Sequence, residues 1–192
     1  MIIAGPAGSG KSTLCERLIQ DYSNIERVVT CTTRAPRPGE VDGEDYHFFS
    51  NEEFDRKVEE DAFLEWAKVH DNRYGNLKST VQVKLEAHID LVMNIDVQGV
   101  RNYKKAAESN ELIRQRLVTV FVTPPSFDNL RQRLRLRGDE EADIDRRMKT
   151  AAAEVSHWAE FDYAFVSESR DHDYEVIKSI LLAEKRKVRR MG

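Results

Sequence analysis

Gly5-Pro6-Ala7-Gly8-Ser9-Gly10-Lys11-Ser12, followed by Thr13, decides the fold. The spacing G-x-x-x-x-G-K-[ST] is that of a loop wrapped around nucleotide phosphates. Glycines let the backbone turn tightly and bring its N–H groups against anionic oxygens, and a helix opening near Lys11 points the positive end of its dipole at the same place. In that arrangement Lys11 reaches the β- and γ-phosphates of a nucleoside triphosphate such as ATP, and the Ser12 hydroxyl holds Mg²⁺. The loop needs a strand before it and a helix after it. Met1-Ile2-Ile3-Ala4 is a short apolar run ending at Gly5, and Leu14, Leu18 and Tyr22 recur at helical spacing. A glycine-rich turn with an exposed lysine, the competing reading, leaves that framing unexplained. The first strand is expected to be short, which leaves room for a native start upstream.

Beyond the loop, apolar and β-branched runs at 27–31, 91–95, 117–122 and 163–166 suit buried strands of a mainly parallel sheet. Helical spacing is expected at 52–60, 77–88, 100–108, 127–136, 144–161 and 173–189. The alternation argues a doubly wound α/β fold of P-loop NTPase type, with ligands at the carboxyl ends of the strands. Residues 32–89 break it. Rich in Pro, Gly, aromatic and charged residues, with strand-like pieces at 46–49 and 63–66, they read as a small mixed α+β insertion over the cleft. A second break, 131–150, holds Arg131, Arg133, Arg135 and Arg137, then Gly138 and an acidic stretch, as expected of a helical lid hinged at Gly138. The core is then 1–31, 90–130 and 151–192.

The 192 residues suffice for one such domain, not two. A third are charged, yet the net charge is −4, so neither a nucleic-acid binder nor a strongly acidic protein is indicated. The terminal Lys185-Arg186-Lys187-Val188-Arg189-Arg190 is read as cations complementing a helix C-terminus. The aromatics Phe48, Phe49, Phe54, Phe63 and Trp66 are read as the insertion's own core rather than a base-stacking surface. No apolar run approaches a membrane span, no signal-peptide pattern opens the chain, and only Cys15 and Cys31 occur, so a reducing cytoplasm fits. The five histidines, His70 among them, lack metal-ligand spacing.

The next constellation is Thr32-Thr33-Arg34-Ala35-Pro36-Arg37-Pro38-Gly39-Glu40, then Asp42-Gly43-Glu44-Asp45-Tyr46. Two arginines three apart, stiffened by prolines, make a fork suited to a dianionic phosphate. This run, with Phe63-Leu64-Glu65-Trp66-Ala67, resembles the GMP-binding region of the guanylate kinases. The phosphate loop, Asn94-Ile95-Asp96-Val97-Gln98-Gly99, Thr123-Pro124-Pro125-Ser126, and Arg137-Gly138 ahead of Arg146-Arg147 continue the resemblance in order over essentially the whole chain.

The resemblance implies that Arg34, Arg37, Tyr46 and Tyr74 grip the GMP phosphate and that Glu65 reads the base. A carboxylate accepts two hydrogen bonds, matching the guanine N1 and 2-amino donors, whereas adenine has an acceptor at N1; the mismatch is worth a discrimination of ~10⁴. Thr30 stands where the family usually has a serine touching guanine, and Asn76 where it has Ser or Thr. An asparagine amide is longer and differently placed, which leaves base selectivity open. Asn94, where many relatives carry an acid, and Ser167, where they often have asparagine, are further departures that bear on ATP or metal contacts. Asp96 either orders a Mg²⁺-bound water, orients an arginine, or forms a structural salt bridge. By family position Arg133, Arg137 and Arg147 converge with Lys11 on the phosphoryl group, while Arg131, Arg135 and Arg146 are solvated or paired with Glu140, Glu141 and Asp143.

The implied activity is transfer of the γ-phosphate of ATP to GMP with Mg²⁺, by a monomer or homodimer with no nucleic-acid or membrane partner. Two alternatives stay open from sequence: a kinase of another phosphorylated acceptor, such as ribose 1,5-bisphosphate or another nucleotide, and a non-catalytic binding module. The second is disfavoured by the complete Gly5, Gly10, Lys11, Ser12 set.

Overall fold

A computed structural model describes residues 1–69 and 71–188. His70, Arg189 and Arg190 therefore lie outside the described residues. Five parallel strands form the main sheet in the order β2 (Ile25–Arg27), β7 (Asp90–Asn94), β1 (Ile2–Ala4), β8 (Thr119–Thr123), β9 (Tyr163–Val166). This is the mainly parallel α/β sheet expected from the alternation.

Period-two geometry divides the buried strand residues between two faces. Ile2, Ala4, Leu91, Met93 and Phe121 point one way, against α3 (Lys78–Glu86), α4 (Val97–Ser109) and α5 (Glu111–Arg116). Ile3, Val92, Val120 and Val122 point the other way, against Leu14, Cys15 and Leu18 of α1 (Lys11–Asp21) and Tyr174, Ile177 and Leu181 of α8 (Arg170–Lys185). The central strand β1 is buried throughout, so the loop at its carboxyl end is anchored on a fully buried strand.

The run expected as one strand at 27–31 is split. Residues 25–27 pair with β7, and β3 (Thr30–Thr32) crosses into a second, four-stranded sheet ordered β4 (Tyr46–Phe48), β3, β6 (Asn72–Leu77), β5 (Phe63–Val69). One buried face on each sheet supplies two separate reasons for a short apolar run, and periodicity does not distinguish two short strands from one longer one. Strand β6, not expected from sequence, runs antiparallel to both β3 and β5. The insertion has its own small core of Cys31, Phe54 and Phe63, in which the Phe54 and Phe63 rings stack 4.4 Å apart beneath α2 (Asn51–Glu59). Ser50 and Glu53 form a reciprocal capping box that starts α2. Helix α3, within the stretch expected to belong to the insertion, packs on β7 and places Val81 in the main core.

Two helices cross the phosphate loop. In α6 (Phe127–Leu136), capped by Ser126, the buried Leu130 and Leu134 lie against Gly8, where a Cβ would come within 3.2 and 3.1 Å of them. Gly138, at φ +90°, turns the chain into α7 (Glu141–Val155), which starts and ends earlier than the helix expected at 144–161. Helix α8 likewise starts before the expected 173, capped by Ser169.

Candidate active site

The loop after β1 is a cradle of backbone. Gly5 sits at φ +140°, and a Cβ there would lie 2.2 Å from the Val122 carbonyl oxygen, so only glycine fits against β8. Gly10, at φ +95°, opens α1, whose first turn carries no acidic residue and no side-chain cap. The positive end of α1 therefore faces the concavity of residues 5–13 without an internal counter-charge. The Pro6 carbonyl accepts from Lys11 Nζ at 2.8 Å and from Ser9 N at 3.1 Å. Burial pulls Lys11 down to about 8; Glu154 on α7 opposes this, and Arg137 and Arg147 reinforce it. Burial also pushes Glu154 up to about 7, against the field of Lys11.

A cleft of about 870 Å³ opens over this cradle, walled by residues 7–14, by Arg133 and Arg137, and by residues 167–170 with Asp173. Arg133 Nη1 donates to Ser167 Oγ at 3.0 Å, and Ser167 donates to the buried Asp173 carboxylate at 2.7 Å. Arg137 Nε donates to Asp139 at 2.9 Å, and Arg147 Nε lies 3.4 Å from the same carboxylate. Arg147 is near enough to lower the Lys11 pKa but does not line the cleft. The other lid arginines are paired outward: Arg131 with Glu141 and Asp145, Arg135 with Glu141, Arg146 with Asp143. Neither the Asp139 clamp nor the Ser167–Asp173 relay was found from sequence. Asp139 had a signal, an acid two residues after Arg137; Asp173 had none.

A second cavity, about 300 Å³, lies between the insertion and the main sheet, lined by Thr30, Tyr46, Glu65 and Tyr74 on one side and by residues 94–96 on the other. The Tyr46 and Tyr74 rings meet edge to face at 6.3 Å. Arg34 is held by both oxygens of Glu40 at 2.8 and 2.9 Å, with its guanidinium 5.3 Å from the Tyr46 ring centre. Arg37 is exposed, its backbone N–H tied to Glu40 at 2.7 Å.

Glu65 is 9% exposed, and burial pushes its carboxyl up to about 7 in spite of Asn102 and Asn76, which donate to it. Asn76, directly across the ladder from Glu65, donates to Oε1 at 2.8 Å. Asp96 accepts from Gly99 N at 2.7 Å and so caps α4; among the described residues its carboxylate makes no ion pair. The two cavities meet at one hydrogen bond, in which Asn94, from the second, donates to Ser12 Oγ of the first at 3.2 Å.

A family model described as guanylate kinase matches residues 1–184. This chain belongs to the guanylate kinase family. It is 41% identical to the guanylate kinase of Caldanaerobacter subterraneus subsp. tengcongensis over 99% of its own length and 89% of that protein, and 42% identical to that of Zymomonas mobilis over 98% and 85%. The crystal structure of guanylate kinase from Anaplasma phagocytophilum superposes with a TM-score of 0.77 at 32% identity, covering 98% of this chain and 87% of that one. Family membership makes the chain a nucleoside monophosphate kinase with nucleotide substrates. Among the described residues no helix is long and apolar enough to cross a membrane.

Proposed function

We propose that this chain transfers the γ-phosphoryl group of ATP to GMP, giving ADP and GDP, with Mg²⁺ as cofactor. The observation that carries the reading is the meeting of the two cavities at Ser12 and Asn94: an anion in the backbone cradle and one in the second cavity would lie end to end. In this reading residues 5–13 hold the ATP phosphates, with Lys11 on the β/γ oxygens. Arg133 and Arg137 line the same cleft, and Arg147 adds its charge from behind; all three spread positive potential over the phosphoryl group in flight, where an arginine contributes about 10³ to 10⁵ in rate.

The acceptor needs no general base, because a nucleotide phosphate ionises fully near ~6. Arg34, Arg37, Tyr46 and Tyr74 hold that phosphate, and Glu65 and Thr30 face the base. The residues suit Mg²⁺: the Ser12 hydroxyl at the cradle rim is a hard oxygen donor, and no cluster of three or more His, Cys, Asp or Glu competes among the described residues. When bound, the ion would be held by the Ser12 hydroxyl and would neutralise phosphate charge. Asp96, which lines the second cavity, would accept from a metal-bound water in this reading. The cytoplasm is the compartment assigned: both thiols are free and buried, and burial pushes each up to about 12, far from a reactive thiolate.

A coupled ADP-release assay offering GMP, dGMP, IMP and AMP tests this. Turnover with GMP, and at least about 10³-fold less kcat/KM with AMP, is the expected outcome. An absence of turnover with every nucleotide at saturating Mg·ATP would remove the proposal.

A further inference from the structure

The resemblance puts Asn76 at a position that bears on base selectivity. Asn76 is 0% exposed and does not line the cavity that Thr30, Glu65 and Asp96 share. Both ends of its amide are engaged: Nδ2 donates to Glu65 Oε1 at 2.8 Å, and Oδ1 accepts from Thr30 Oγ at 3.1 Å. When Glu65 is ionised the orientation is fixed chemically, because a carboxylate only accepts, so the end facing it must be the nitrogen. The oxygen then faces Thr30, which must donate its single proton. Glu65 Oε2 has a longer contact of its own, from Asn102 Nδ2 at 3.5 Å.

We infer that Asn76 is a positioning residue that never touches the nucleotide but sets the hydrogen-bond polarity of the wall that does, holding Glu65 in place as an acceptor and turning the lone pairs of Thr30 toward the cavity. This rests on the function proposed above. A carboxylate has about four acceptor sites, and one donor on each oxygen leaves two for ligand. Thr30, its proton spent on Asn76, offers acceptors only. The wall thus presents no donor from either side chain. It fits a purine edge carrying N1–H and a 2-amino group, and it repels an edge that presents a lone pair. Asparagine suits the position because one side chain both donates and accepts across the gap between β3 and β5, with β6 between them.

The test is a mutant cycle on the full chain, reading the KM for GMP at saturating Mg·ATP. Asn76→Ala is expected to raise it about 10-fold when Glu65 and Thr30 are present, the loss of one hydrogen bond to a charged group, but less than about 2-fold in a background in which Glu65→Ala and Thr30→Val have removed both of its partners. The KM for ATP should be unchanged in every variant. Equal effects in both backgrounds would mean that Asn76 acts on the base directly and would overturn the inference, as would no effect in either.

Asn76→Asp, nearly isosteric, guards against a folding failure of the alanine variant. It sets two carboxyls side by side, so the pH below which GMP affinity falls should rise by about one unit over that of the native chain. The other ionisable groups facing Glu65 are Asp96, the cap of α4, and Tyr103 in the middle of that helix, and both are common to the two proteins, as is the ionisation of GMP itself. An unmoved limb contradicts the inference. If the native chain fails to phosphorylate GMP, the proposed function falls; if it does so and the cycle is additive, only the role of Asn76 falls.

Discussion

The two cavities are built by opposite means. The phosphate cradle is made of backbone from nine consecutive residues, 5–13, wedged between a buried strand and an uncapped helix, and its shape depends on side chains being absent. The second cavity, proposed to take the base, is made of side chains from four elements, β3, β4, β5 and β6, facing the end of β7, and its chemistry depends on which of those side chains donates to which. A backbone site tolerates almost no substitution where its glycines turn and is indifferent to its neighbours' chemistry. A side-chain site can be rebuilt with other residue types, as Asn76 does here, provided that the polarity comes out the same.

That contrast can be broken in several places. Lys11→Ala should cost the most, at least about 10³-fold in kcat, while GMP binding measured by calorimetry without ATP stays within about 2-fold. If GMP binding collapsed as well, the two cavities would not be separate devices. Glu65→Gln comes next. It replaces one acceptor oxygen by an NH₂ donor, so the KM for GMP should rise by about 10- to 100-fold, with kcat for saturating GMP less affected.

Gly5→Ala probes the cradle through stability instead. The added methyl meets the Val122 carbonyl at 2.2 Å, and φ +140° is strained for alanine, so a loss of about 2–4 kcal/mol is expected. That corresponds to about 5–15 °C in Tm. An equal Tm by calorimetry would show that the cradle yields where its rigidity is asserted.

The smallest effect sharpens the comparison through pH. Glu65 and Glu154 are raised by burial from 4.5 to about 7 in the folded chain, so the folded state holds protons that the unfolded state has lost. Their contribution to stability is fully present below the unfolded value and disappears as pH rises through about 7. GMP binding runs the other way, because an ionised Glu65 is the better acceptor. Tm should therefore fall while GMP affinity rises over this window, and Glu65→Gln should flatten the fall in Tm measured by scanning fluorimetry.

The same contrast explains what could be read from sequence. Strand, loop and α1 were legible because the pattern is contiguous and local: Ile2 and Ile3, then the glycines, then Leu14 and Leu18 at helical spacing. The parallel sheet followed from continuous apolar runs such as 117–122. The split at 27–31 was hidden, since a run that ends one strand and, after two intervening residues, begins another has the composition of a single strand. Strand β6 was hidden for a different reason. Its sequence, Asn72-Arg73-Tyr74-Gly75-Asn76-Leu77, has little apolar content, and it is held by ladders to β3 and β5 on both sides. The pairs Thr30 with Asn76, Asn76 with Glu65 and Arg133 with Ser167 join residues far apart in the chain, and no local pattern announces which amide or hydroxyl will face which partner.

The claim on which all of this depends is that the cradle and the second cavity open onto each other at Ser12 and Asn94. Isothermal titration with one molecule carrying adenosine and guanosine joined by a polyphosphate chain tests it directly. A single such molecule should fill both cavities, binding one to one and at least about 10²-fold more tightly than ATP or GMP alone, with free GMP excluded. Affinity no better than that of ATP, with GMP still able to bind alongside, would contradict it.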